Sequence, residues 1–141
     1  MKIFKPVMLL AIVLMINTAV KANKTDEGAL TKTHAIDTYI DAMMRGKLDG
    51  LNDVIDPTAK FSMLQRKRLV SYTKKEMMDF LNTTKNLEED CTASTSVVET
   101  NTDVAVVKVD MQFKTFTRSN YVTIANTGNG WKIINVYSVF N

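Results

Sequence analysis

The side chains able to shuttle a proton, hold a metal or attack a carbonyl are few in this 141-residue chain, which has one histidine, His34, and one cysteine, Cys91. Acid–base catalysis needs a group of shifted pKa aimed at a substrate. His34 falls near the start of an expected helix, with Thr38 and Asp41 on the same side at i+4 and i+7, so it belongs to a polar face. Asp110 is the only carboxylate in the middle of a long expected strand, in step with Lys108, Gln112 and Lys114. That parity points it away from the apolar face, toward a cross-strand lysine. Asp37 and Asp41 share the first helix, and only Asp37 borders its apolar stripe; neither is assigned a role. Cys91 follows Glu88-Glu89-Asp90, a negative neighbourhood that disfavours a thiolate. One His, one Cys and scattered carboxylates give no metal-ligand spacing. Arg66-Lys67-Arg68 has the charge to meet phosphate but sits where a solvated hairpin tip is expected. No catalytic residue, metal site or cofactor is therefore expected.

The elements that would position any site follow from periodicity. From Val107, every other residue is apolar through Val109, Met111 and Phe113, the period-two pattern of a sheet with one face on a core. Four long strands are expected, over 91–100, 103–116, 119–126 and 130–140. Turns fall at Asn101-Thr102-Asp103, Thr117-Arg118-Ser119 and Asn126-Thr127-Gly128-Asn129-Gly130. After Trp131 both parities carry apolar residues, which suggests a last strand covered on both sides, as in a dimer packed through the sheet.

Upstream, Ile36, Tyr39, Ile40 and Met43 form one stripe of a helix expected over 29–45, with Gly46 as its left-handed cap. Thr38, Asp41 and Arg45 share its opposite side. A short helix is expected from Asp49, stopped at Asp56-Pro57. Short strands over 59–64 and 69–72 follow, joined by a turn at 65–68. Thr73-Lys74-Lys75-Glu76 is a capping box opening a helix to about Asn82, with Met77, Phe80 and Leu81 on one face. Helices gathered before an antiparallel sheet mean α+β, with the helices on the concave face of a strongly curved sheet. Such a cone has an apolar interior suited to a pocket.

Residues 1–22 read as a signal peptide: Lys2 and Lys5, then ten apolar residues from Val7 to Ile16, then a stretch ending Val20-Lys21-Ala22. Ten apolar residues are about half of what a bilayer helix needs, so no membrane anchor is expected after cleavage. Loss of Lys2, Lys5 and Lys21 takes the 18 basic residues to 15, matching the 15 acidic ones. A mature chain of zero net charge gives no reason to expect nucleic acid. Residues 23–141 suit a single domain, and one cysteine excludes an internal disulfide.

The chain resembles the nuclear-transport-factor-like superfamily, with its cystatin-like cone, and within it the secreted bacterial group of putative lumazine-binding proteins. The resemblance rests on His34-Ala35-Ile36-Asp37-Thr38-Tyr39-Ile40-Asp41, Gly46-Lys47-Leu48-Asp49-Gly50-Leu51 and Asp56-Pro57-Thr58-Ala59-Lys60-Phe61. It continues through Tyr72-Thr73-Lys74-Lys75-Glu76, Asn120-Tyr121-Val122 and Gly130-Trp131-Lys132-Ile133-Ile134-Asn135. It implies a cone-shaped α+β fold, homodimers packed through the sheet, and a pocket for either a ligand or catalysis. On that frame Tyr39, Met43, Val109, Met111, Phe113, Tyr121 and Trp131 are the expected pocket, with Tyr137 nearby. Rings with polar tips and adaptable thioethers suit a small hydrophobic or heteroaromatic guest. The expectation is an exported, periplasmic or extracellular bacterial binding domain without enzymatic activity. The alternatives are an isomerase- or lyase-like enzyme and an interaction module with a filled core.

Overall fold

The first helix begins where a side chain can close its open end. Thr31 accepts a hydrogen bond from the backbone N–H of His34, and α1 runs over Lys32–Arg45. The computed structural model describes residues 31–141, so the signal segment expected over 1–22 lies outside the described residues. Ala35, Ile36, Tyr39 and Ala42 form the buried stripe of α1. Thr38, expected on the solvent side, is buried as well; its hydroxyl is satisfied by donating to the carbonyl of His34 at 2.7 Å. Gly46 ends the helix at φ +63°, as its place in the sequence requires.

The next segment departs from expectation. Gly50, not Asp49, occupies the cap of α2, which is one turn long, Leu51–Val54. Asp56-Pro57 does not end a helix but lies inside β1, Ile55–Gln65. The pairing register of β1 shifts between Ile55 and Lys60, and proline, lacking an N–H, is tolerated in such an irregularity. The carboxylate of Asp56 accepts from both the N–H and the hydroxyl of Thr58, at 2.9 and 2.6 Å, which holds its pKa below the usual carboxylate value. A turn at Arg66 and Lys67, both with positive φ, leads into β2, Arg68–Thr73. The capping box forms as read: Thr73 and Glu76 exchange hydrogen bonds at the start of α3, Lys74–Thr83. Met77 and Leu81 are buried, but Phe80 is 60% exposed.

Strands β3 (Thr92–Thr100), β4 (Val104–Gln112), β5 (Thr117–Asn126) and β6 (Trp131–Phe140) complete one open six-stranded sheet, in the order β2-β1-β6-β5-β4-β3. All neighbours are antiparallel except β1 and β6, which run parallel. The alternation of β4 is as read: Ala105, Val107, Val109 and Met111 are buried against the helices. The strand stops four residues early, however. Phe113 N–H donates to the Phe116 carbonyl at 2.9 Å, closing a tight turn in which the two rings stack 4.6 Å apart. The turn expected at 117–119 is thus displaced to 113–116, closed by that hydrogen bond and the stacked rings and flanked by the Gln112–Thr117 pair.

The ambiguous parity of β6 has a local cause. Thr123 pairs with Asn135 while Ile124 pairs with Ile133, leaving Ile134 as a bulge. The extra residue lets Ile133 and Val136 both reach the inner face, where each is at most 1% exposed. The inner face of β1, β6, β5 and β4 carries a single core with α1, α2 and α3. The fold is α+β with its helices on one face of a curved sheet.

One glycine carries a testable consequence. A Cβ on Gly46 would stand 2.5 Å from the backbone nitrogen of Asn86, whose N–H in turn donates to the Gly46 carbonyl at 3.0 Å. Both the left-handed backbone and the close approach of the loop after α3 resist a side chain. Gly46→Ala is expected to destabilise by about 2–4 kcal/mol in urea denaturation; a loss below about 1 kcal/mol would show that this loop yields freely.

Candidate functional site

The inner sheet face changes character toward the end where β6 finishes and β5 begins. Along β5 the inner positions run Ile124, Val122, Asn120 and Arg118, as their pairing with Ala105, Val107, Val109 and Met111 requires. Two apolar residues are followed by two polar ones on a face that is otherwise hydrophobic. Asn120 is fully buried and satisfied: its Nδ2 donates to the Val109 carbonyl at 3.1 Å. Its Oδ1 accepts from Ser138 Oγ at 2.7 Å and from the Tyr39 hydroxyl at 3.3 Å. Ser138 and Tyr39 are each 2% exposed. Burial raises the Tyr39 pKa above its ordinary value, and the nearby Arg118 charge opposes that rise only in part. Tyr39 is therefore a neutral phenol donating a hydrogen bond.

Beside this network opens a cavity of about 550 Å3, within the range of small-molecule sites. Its apolar wall is Met43 from α1, Met63 from β1, Tyr72 from β2, and Met77 and Phe80 from α3. Gln65, Glu76, Asp79 and Arg118 supply its polar atoms. The exposure of Phe80 is explained here, since its ring forms part of the cavity wall and not of the core. A smaller space of about 140 Å3 adjoins, sharing Met43, Phe80 and Arg118 and reaching Met111 and Phe113.

The seven expected pocket residues are divided by the fold. Met43 lines the main cavity, and Met111 and Phe113 line the smaller one. Tyr39 lies beneath, in the polar network, and Val109, 1% exposed, is core. Tyr121 is on the opposite face: it pairs with Lys108 and Tyr137, and the Lys108 ammonium lies 5.9 Å from its ring centre. Its place one residue from Asn120 reverses its direction. Trp131 is on the inner face but at the other end of β6, half-buried, with the Lys32 ammonium 4.4 Å from its ring centre. It stands nine residues from Phe140, the partner of Arg118, or roughly 30 Å along a strand.

Arg118, Asn120 and Ser138 were not among the expected site residues. The signal was present: reading the inner parity of Val122 and Ile124 backward reaches Asn120 and Arg118, polar groups at core-facing positions. His34 is exposed, and its backbone, not its ring, makes the helix contacts. Asp110 faces outward as expected, but its cross-strand partner is not a lysine: it accepts from Ser119 at 2.6 Å, and the lysine 3.6 Å away is Lys108 of its own strand. Burial, then Glu89 and Asp90, push the Cys91 pKa up. Among the described residues no cluster of three or more potential metal ligands forms.

Comparison with known proteins agrees with this geometry. Residues 27–138 match the model of the family described as putative lumazine-binding. No curated protein matches the sequence. Among solved structures, an NTF-2-like protein of unknown function from Silicibacter pomeroyi superposes with TM-score 0.67 at 19% identity, covering 83% of this chain and 98% of that one. An NTF2-like protein of unknown function from Shewanella baltica gives 0.63 at 9% identity over 83% and 94% of the two chains. A ketosteroid isomerase-like protein from Erwinia carotovora gives 0.59 at 14% identity over 79% and 94%. These likenesses show a shared fold.

Two outcomes test the buried network. Asn120→Ala removes the acceptor of both Tyr39 and Ser138 and leaves a void, and is expected to cost about 2–4 kcal/mol in chemical denaturation. Because the folded pKa of Tyr39 is raised, its stabilising effect is complete below the ordinary tyrosine value and declines as pH rises from there through the folded pKa. Wild type should therefore lose melting temperature in alkaline buffer more steeply than Tyr39→Phe; parallel curves would place Tyr39 in solvent.

Proposed function

The chain belongs to the putative lumazine-binding family, and from that premise we propose that it is an exported, non-enzymatic binding domain whose ligand occupies the cavity between α1, α3 and the β1–β2 hairpin. The observation that carries this reading is the cavity itself, about 550 Å3 walled by three methionines and two aromatic rings beside polar groups. Flexible thioethers adapt to a guest's outline, and the rings offer flat contact. A small hydrophobic or heteroaromatic molecule fits that chemistry, in keeping with the family's description.

A binding role without turnover is supported by the condition of the nearby carboxylates. Glu76 accepts the Thr73 N–H at 2.8 Å, and Asp79 is ion-paired with Lys75 at 2.7 Å. Both carboxylates are thus already engaged by structural partners. Export follows from the apolar run over 7–16, with cleavage after Ala22. We further propose that two copies associate through the outer sheet face, where Val106, Tyr121, Tyr137 and Val139 are only partly buried.

Native mass spectrometry of protein recovered from its own host reads these features together. The expected species is a dimer of chains beginning at Asn23, carrying extra mass of a small molecule. Met63→Trp, which places an indole in the cavity, should remove the extra mass and leave the dimer. A bare monomer in wild type would overturn the proposal.

A further inference from the structure

Arg118 is a cation built into this cavity that forms no ion pair among the described residues. It begins the inner row of β5, opposite Met111 on one side and Phe140 on the other. A guanidinium stays charged at any ordinary pH and offers N–H donors in a planar fork. Here Nη2 makes one long hydrogen bond, 3.4 Å to Ser138 Oγ, and Nε is buried with no partner. The ring of Phe140 lies 5.7 Å from Cζ. The ion pairs among the described residues join Asp41 to Arg45, Lys75 to Asp79 and Lys108 to Asp110; none involves Arg118. Tyr39, the nearest acid in the network, is kept neutral by burial.

An unpaired charge against an apolar wall is unfavourable. The cost is removed if the missing acceptor arrives with the ligand, because a planar oxyanion matches the fork of a guanidinium. The rest of the lining limits what else the ligand can carry. Glu76 and Asp79 place negative charge on the α3 side of the same cavity, which disfavours a second anionic group. Met43, Met63 and Met77 leave the remainder of the space apolar.

We propose that the cavity takes an organic monoanion, with its apolar body against the methionine wall and one carboxylate-like oxyanion on Arg118. This inference rests on the proposed binding role of the cavity and adds to it the charge of the ligand and the residue that recognises it.

The test uses two fluorescent probes of nearly the same ring skeleton, anilinonaphthalene sulfonate, which is anionic, and phenylnaphthylamine, which is neutral. Each is titrated into wild type, Arg118→Met and Arg118→Lys, with a thermal melt of every variant. Wild type should prefer the sulfonate by about tenfold, which is about 1.4 kcal/mol. Arg118→Met should lose that preference while binding the neutral probe within about twofold of wild type. Its melting temperature should be no lower than wild type, since an unpartnered donor has been removed. Arg118→Lys should recover part of the preference, as a point charge without the fork. If Arg118→Met binds the sulfonate as wild type does, or loses both probes together and melts early, the anion assignment fails while the cavity reading survives on the neutral probe. If wild type binds neither probe, the binding role and the anion assignment fall together.

Discussion

The buried amide of Asn120 is the contact on which the arrangement of this protein depends. It sits on β5, takes the hydroxyl of Tyr39 from α1 and of Ser138 from β6, and donates to the carbonyl of Val109 on β4. Three consecutive strands and a helix 81 residues away in the chain are thereby held to one point. Apolar packing has no preferred direction and would let α1 slide along the sheet at little cost. A fully satisfied polar network inside a core does not, because any shift leaves a buried donor or acceptor unpaired. With α1 located in this way, Met43 is brought to the edge of the cavity and Arg118 stands in front of the network.

The alternatives of an open and a filled cone both occur, at different ends of the same face. Under α1 and α2 the interior is closed by Leu51, Val54, Ile124 and Ile133, each 4% exposed or less. Toward α3 the helix stands over the hairpin of β1 and β2 and leaves a space lined by methionine. The helices therefore do two kinds of work. α1 and α2 close the core, and α3, which adds Met77 and Leu81 to that core, bounds the cavity together with Met43 of α1.

Irregularities in the strands give the sheet its form. Register shifts occur in β1 between Ile55 and Lys60, in β3 between Val97 and Glu99, and between Thr123 and Ile124 in the pairing of β5 with β6. Each adds bend and twist, so that a single open sheet can wrap around its helices. The same shift at Ile134 that curves the sheet also feeds Ile133 and Val136 into one core. Shape and packing are here consequences of one inserted residue.

What the sequence by itself determined was what short-range physics decides. The capping box of Thr73 and Glu76, the left-handed Gly46, the stripe of α1 and the alternation of β4 each depend on residues a few positions apart, and each is present in the structure. The α+β class follows from their order. The site was legible only in part: of the residues expected around a pocket on the frame of the family resemblance, Met43, Met111 and Phe113 line cavities, while Tyr121 lies on the opposite face and Trp131 at the other end of β6. Alternation tells which neighbours share a face but not which strand lies opposite, where a strand stops, or which end of a face is covered. The register of β5 against β4 and β6 and the parallel seating of β1 on β6 are settled by partners outside any one local stretch. Those pairings placed Asn120 and Arg118 on the inner face and set Ser138 beside them. Only the tertiary structure could decide that a polar network and an unmatched cation share one end of an apolar sheet, because burial and missing partners are properties of a packed assembly and not of any local stretch.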